Sequence, residues 1–251
     1  MTTHRVVSHE EWIEARRRHL AREKELTRLR DQLSQERREL PWEKVDKHYV
    51  FDGAKGKESL VDLFEGRRQL VVYHFMFDPS WEEGCKSCSF WIDNLDGVIV
   101  HLAHRDVSFV AISRAPYPTI QAYRKRMGWR VKWLSSFGND FNRDYHVTFT
   151  PEEREGGRAY YNYASGSFPA PEGPGVSVFY RDDDGAIYHT YSAYSRGLDM
   201  INGAYHVLDL VPKGRDEAGL SYSMEWLQRH DAYDPAPVVV RTGLGARPTG
   251  R

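Results

Sequence analysis

Cysteine is almost missing from this chain: two of its 251 residues carry a thiol. A chain of that length buries a substantial core without disulfide staples, so a disulfide-framework fold is excluded, and one large domain or two small ones fit the length. Long apolar runs are missing as well. Nothing approaches the roughly 20 residues of a membrane span, and the opening MTTHRVVSHEEW lacks the apolar core of a signal peptide. Neither sign of charge dominates: 35 basic side chains face 36 acidic ones, a net charge of −1. Such a balance gives no whole-molecule field for capturing nucleic acid or an anionic membrane. No internal repeat is present. The expectation is a cytoplasmic globular protein with no nucleic-acid or membrane partner, and in that compartment a cysteine pair is catalytic or metal-binding rather than a permanent disulfide.

What is present is one concentrated stretch, QLVVYHFMFDPSWEEGCKSCSFWIDNLDGVIVHL at 69–102. Leu70 to Phe77 is a β-branched and aromatic run too short for a buried helix, closed by Asp78, Pro79 and Ser80, which predicts a strand covered on both faces. From Cys88 the apolar positions fall at Trp91/Ile92, Leu95, Val98/Ile99 and Leu102, the spacing of one helix facing a sheet. Cys85 lies a turn earlier, where that helix begins. Free N–H groups and the positive end of the dipole at a helix start stabilise a thiolate, and Cys-X-X-Cys thiols titrate below the free value of about 8.5. Cys85 is therefore the candidate nucleophile. Cys88, a turn further in, is placed to attack a mixed disulfide on Cys85 and release the substrate. Lys86 between them favours the thiolate, while Glu82 and Glu83 oppose it.

Two other readings of the pair stand beside this one. Both cysteines can be core residues, since free Cys is often buried. Alternatively Cys85, Cys88, His101 and His104 read C-x2-C-x12-H-x2-H, near a zinc spacing. On one continuous helix Cys88 and His101 would lie about 20 Å apart, beyond the reach of one ion, so the metal reading requires a break at Gly97.

Around this stretch the chain reads in order. Ser8 and Glu11 match a capping box and Val7 with Trp12 a hydrophobic staple, opening a charged helix to about Arg38 whose seam is Leu26, Leu29, Leu33 and Leu40. A helix with so thin a seam packs across a neighbouring surface or a second subunit, which makes a homodimer through this arm the expectation. A short strand at Lys47 to Phe51, a turn over 52–57 and a short helix over Ser59 to Phe64 follow. Val107 to Ile112 reads as a second buried strand and Pro118 to Met127 as a helix. Strand–helix alternation of this kind implies parallel pairing with a right-handed crossover. Residues 129–149 read as loop, and 152–175 as an inserted excursion rich in Gly, Pro, Ser and Tyr. Asp-Gly at 184–185 between strand-like runs predicts a hairpin. Leu198 to Leu210 predicts a closing helix, and 234–251 an extended tail.

The phrase F-x-G-x-x-G-K-x-S-L-x-D-L-F-x-G-R at 51–67 resembles the entry to the peroxiredoxin and thiol-specific antioxidant branch of thioredoxin-like proteins. Further phrases extend the likeness: HFMF-x-P-x-W-x-x-G-C-x-x-C-S-F at 74–90, S-R-A-P at 113–116, R-M-G-W at 126–129, S-S-F-G-x-D-F-N at 135–142, V-F-Y-R-D at 178–182 and N-G-A-Y at 202–205. Together they resemble the bacterial family called domain of unknown function 899, regarded as thioredoxin-like dithiol-disulfide oxidoreductases. The likeness covers roughly 5–235. It implies an α/β fold, a thioredoxin-like mixed sheet flanked by helices, with the N-terminal arm at 1–40, the domain at 41–233 and the insertion within it. It places Cys85 and Cys88 where thioredoxins have their pair, Trp81 beside them, and Pro174 where thioredoxins set a cis-proline facing the dithiol. The resemblance supplies no substrate; the expectation from the cysteine pair is no cofactor beyond the redox-active cysteines, no metal, and a protein or small-molecule disulfide or thiol as partner. Peroxiredoxins read P-x-x-x-T-x-x-C, whereas here Glu82 stands three before Cys85 and Pro79 is one place out of register. The peroxide-reducing mechanism is therefore not carried over. A non-catalytic binding scaffold is the remaining alternative, since a fold alone does not choose a function.

Overall fold

A computed structural model of the chain describes residues 4–234, so the tail expected over 234–251 lies outside the described residues from 235 onward. Two compact units emerge among the described residues: 4–46 with 179–191, and 47–178 with 192–234.

In the smaller unit, α1 (His9–Arg38) begins as its sequence dictates. Ser8 caps it by accepting from the Glu11 N–H, and Glu11 answers on the Ser8 N–H, so the capping box is closed. None of its residues is buried, and Leu26, Leu29 and Leu33 stand exposed. Arg37 lies over the Tyr191 ring, 4.8 Å from its centre. Downstream, β1 (Glu43–Lys44) pairs antiparallel with β10 (Ile187–Tyr194), Glu43 opposite His189. The predicted hairpin forms between β9 (Gly175–Arg181) and β10. Its turn is closed by hydrogen bonds from Asp182 to Ala186 and from Gly185 to Asp182, with Gly185 at φ +87°.

The larger unit starts with the tight hairpin of β2 (Val50–Gly53) and β3 (Gly56–Ser59). Then β4 (Gln69–His74) leads to α2 (Lys86–Leu95) and α3 (Ile99–Ala103). β5 (Val107–Ser113), α4 (Tyr117–Arg126) and β6 (Lys132–Ser135) follow, then α5 (Phe141–Asp144), α6 (Pro151–Glu155), the small pair β7 (Ala159–Tyr161) and β8 (Ala164–Gly166), and finally α7 (Gly203–Leu208). Within this unit the hydrogen-bonded strand order is β10–β9–β4–β5–β6–β2–β3, with β10 entering by Ser192–Tyr194 and β9 by Gly175–Val178. β4, β5 and β6 are parallel and in register, Val72 opposite Val110 and Ala111 opposite Trp133. Parallel strands need crossovers, and the helices that supply them cover the sheet.

Strand alternation sorts the side chains. Tyr73, Phe75 and Phe77 point to the side where Cys88, Trp91, Ile92, Tyr123, Trp129 and Trp133 form one buried cluster. His74 goes to the other side, against the rings of Phe141 and Tyr145. Both faces of the central strand are therefore covered, as its unbroken apolar run predicts. The order β5–β4–β9–β10, reached through strand, helix, strand, helix and then a hairpin, makes this a thioredoxin-like mixed α/β sheet.

Three expectations change. The helix after the dithiol is two helices, ending at Asp96 and restarting at Val98. The Asp96 carboxylate accepts the Arg130 and Val131 N–H groups at 2.8 Å each, a tie that stops the helix at Gly97. Residues 129–149 are not all loop, since β6 and α5 lie within them. The closing helix is a 3-10 turn over Ser195–Ile201 followed by α7, which Asn202 caps by accepting the Tyr205 N–H.

Candidate active site

The two thiols lie at the carboxyl end of β4, where α/β sheets commonly place their ligands. After His74 the chain stays extended: Phe75 N–H donates to the Ile112 carbonyl and the Phe77 carbonyl accepts from Ala115. It then turns, Trp81 N–H closing on the Asp78 carbonyl and the Asp78 carboxylate accepting from Ser80. Cys85 returns to the strand end by donating its N–H to the Met76 carbonyl at 3.1 Å, and the Met76 N–H donates to the Cys88 sulfur at 3.4 Å. One residue beyond the strand thus pins both cysteines.

Gly84 explains why a glycine precedes the first cysteine. A Cβ there would stand 2.7 Å from the Phe75 ring and 2.9 Å from the Tyr123 ring. Gly84→Ala is accordingly expected to cost about 1–3 kcal/mol in urea unfolding through overpacking. It is also expected to slow alkylation of Cys85, because the loop that presents the sulfur has to shift; an unchanged rate with unchanged stability would show that the rings yield freely.

Both cysteines are free, Cys85 half-buried at the N-cap of α2 and Cys88 buried one turn in. The Cys88 thiol acts on the Cys85 sulfur most strongly. With the Cys88 and Ser87 N–H groups and the Ser87 hydroxyl, it brings Cys85 down to about 6 against the opposing effect of burial. Cys88 moves the other way. Burial raises its thiol well above the ordinary value, and the neighbouring Cys85 raises it further. One thiol is thus ionised near neutral pH while the second holds its proton.

The remaining predicted residues fall around this pair. Trp81 is partly buried against the same core cluster as Cys85 and Cys88. Lys86 directs its ammonium to the Glu225 carbonyl at 2.9 Å and lies over the Tyr222 ring, so it ties down the 221–226 segment. Pro174 immediately precedes β9, as expected, but all peptide bonds among the described residues are trans, so the cis geometry is absent. Its carbonyl accepts the Tyr161 hydroxyl at 2.7 Å. His74 donates to or accepts from Ser177 at 2.8 Å, a buried structural contact. The opposing charge of Glu83 is met by Arg126 and by Arg229, the latter at 2.8 Å. Arg229 also donates to the Gly84 carbonyl and to the Tyr123 hydroxyl. Cys85, Cys88, His101 and His104 do not converge, and among the described residues no group of three or more His, Cys, Asp or Glu side chains could hold a metal.

Other groups at this end of the sheet gave no sequence signal. Tyr73, on β4, is fully buried with its ring in the dithiol cluster. Glu172, at the end of the insertion, is buried and receives Arg114 at 2.8 Å and the Thr148 hydroxyl at 2.9 Å. Burial nevertheless raises its carboxyl to about 7, over the opposing pull of Arg114. Arg114 and Asp78 line a cavity of about 470 Å³ next to it, together with Arg143, Phe149 and Arg154.

A thioredoxin-like α/β fold with two neighbouring free cysteines at the end of its central strand defines the class. Residues 1–233 match the family described as "Bacterial protein of unknown function (DUF899)", and the chain belongs to that family. No curated protein matches it. Among solved structures it is similar to peroxidoxin BcpB from Mycobacterium tuberculosis, at 13% identity and a TM-score of 0.42, over 67% of this chain and 97% of that one. It is also similar to a thiol:disulfide interchange protein from Bacteroides sp., at 12% identity and 0.41, over 71% and 97%. A third is PrxQ from Xylella fastidiosa, at 7% and 0.41, over 66% and 95%. No helix among the described residues is long and apolar enough to cross a membrane.

Proposed function

We propose that the protein is a thiol-disulfide oxidoreductase in which Cys85 is the nucleophile and Cys88 the resolving thiol. The observation that carries this reading is the split between the two sulfurs. Cys85 is partly exposed at a helix start and pulled down to about 6, whereas Cys88 is buried one turn further in and raised. A pair used only for packing has no need of that asymmetry, and dithiol exchange requires it. The Cys85 thiolate attacks a substrate disulfide and releases one substrate thiol. Cys88 then loses its proton and attacks the Cys85 sulfur. The protein leaves as a disulfide and the substrate as two thiols. No cofactor enters this scheme, since two electrons pass between sulfur atoms.

The test uses purified full-length protein and dithiobis-nitrobenzoate as the disulfide. Cys85→Ser is expected to abolish thiol release, and Cys88→Ser to stop after one equivalent with a mixed disulfide on Cys85 visible by mass spectrometry. Release of one equivalent at the same rate by each single-cysteine variant would sink the reading, because the two sulfurs would then have no division of roles.

A further inference from the structure

Tyr73 occupies a costly position. It sits in the middle of the buried sheet, paired in register with Ala111, with no exposed surface. Its hydroxyl makes no well-formed hydrogen bond, although buried hydroxyls almost always find one. Most of the largest fully buried aromatic side chains are phenylalanine, including Phe75 and Phe77 on the same face of the extended segment that continues the strand. A phenylalanine here would pack the same way without an orphaned oxygen, so packing alone does not account for the hydroxyl.

Tyr73 shares its buried cluster with Cys88, and of the polar groups that act on its hydroxyl Cys88 acts most strongly, ahead of Cys85 and Tyr161. The tyrosine hydroxyl pulls the Cys88 thiol down, and the sulfur, with burial as the larger cause, pushes the phenol well up. A phenol that keeps its proton is a pure donor toward an anion beside it. Tyr161, the other tyrosine that Cys88 acts on, differs in being occupied: it donates to the Pro174 carbonyl and accepts from the Ser195 N–H. Among the described residues, the polar groups that act with the Cys88 sulfur include Cys85, the Met76 N–H, Tyr161 and Tyr73, and of these two hydroxyls the one on Tyr73 has no committed partner.

We infer that Tyr73 is a positioning residue for the second half of the exchange, its hydroxyl held unpartnered in the dithiol state so that it donates to the Cys88 sulfur when that sulfur becomes an anion. The inference rests on the exchange reading above and assigns its second step a donor. In that step Cys88 gives up its proton, which ends on the departing substrate sulfur through solvent. The Cys88–Cys85 bond forms, the Cys85–substrate bond breaks, and the substrate disulfide has gained the two electrons that the protein dithiol has lost. The negative charge on Cys88 develops in a dry site, where the Met76 N–H alone would have to hold it. A hydrogen bond to a charged group is worth about tenfold or more in such a site.

Tyr73→Phe tests this with little change of volume. In stopped-flow reaction with dithiobis-nitrobenzoate, the first release, made by Cys85, is expected to stay within about twofold of the unsubstituted rate. The second, made by Cys88, is expected to slow about tenfold. Tyr161→Phe is expected to leave the second release within about twofold, because that hydroxyl is already committed. Independently of any exchange, the Cys88 Cβ shift followed against pH by NMR is expected to titrate about one unit higher in Cys85→Ser/Tyr73→Phe than in Cys85→Ser. An unchanged second release together with an unchanged Cys88 titration overturns the inference. If Cys85 releases no thiol in any variant, the exchange reading fails instead, and the Cys88 titration alone decides the role of Tyr73.

Discussion

At pH 6, Cys85 is expected to react with iodoacetamide about twenty times faster than an ordinary exposed cysteine, and near pH 8 no faster. The prediction combines two opposing magnitudes. With its thiol at about 6 instead of 9.0, half of Cys85 is thiolate at pH 6, against about one part in a thousand for the ordinary group, an advantage of about five hundred. A less basic thiolate is a weaker nucleophile, and a Brønsted slope of about 0.4–0.5 over those three units returns a factor of about 16–32. The population effect wins at pH 6. By pH 8 the ordinary thiol is itself about a tenth ionised and the two effects nearly cancel. As a depressed acid, Cys85 keeps its charge above about 6 and loses it below, so the rate must fall as the pH drops through that value. A rate that instead rises tenfold per pH unit from 6 to 8 would show an unperturbed thiol.

The parts of this site that the sequence made legible are the local ones. The strand, the turn at Asp78 to Ser80, the two cysteines and the start of the helix lie within about two dozen residues, and each leaves a mark in residue type or spacing. The same holds for the cap at Ser8 and for the Asp-Gly hairpin. What escaped was decided from far along the chain. The break at Gly97 depends on Asp96 holding backbone N–H groups at 130 and 131, while the apolar spacing continues through the break as though nothing happened. β6 is four residues long and carries no turn signal of the usual kind, and only its pairing with β5 makes it a strand. The β7–β8 turn uses Asn162 and Tyr163, both with left-handed φ, where an Asn-Gly pair would have announced it. Lys86 is a neighbour of the dithiol in sequence yet is drawn to the carbonyl of Glu225, and Arg229 reaches Gly84 across 145 residues. A field argument made from adjacent charges alone gives Lys86 and Glu83 roles that their distant partners alter.

The excursion over 152–175 shows the same principle with a larger energetic consequence. Its low-complexity composition suggests only a long loop, but its end runs back along 147–149, the Phe149 N–H donating to the Pro171 carbonyl and the Gly173 N–H to the Val147 carbonyl. That return carries Glu172 into the interior, with 1% of its side chain exposed. Arg114 is there to receive it, at 2.8 Å, but desolvation exceeds the attraction and the carboxyl sits at about 7 rather than 4.5. A carboxyl raised in this way binds its proton more tightly folded than unfolded. Its contribution to stability is fully present below about 4.5 and is lost as the pH rises to about 7. The 2.5 units between those values correspond to a loss on the order of 3 kcal/mol. Glu172→Gln keeps the shape, leaves oxygen for Arg114 and Thr148, and removes the titration. In urea unfolding at pH 5 and pH 8, the unsubstituted protein is expected to lose about 2–3 kcal/mol more than the Gln variant between the two conditions. Equal losses would mean that Glu172 is ionised throughout and that Arg114 alone meets the cost of burying it.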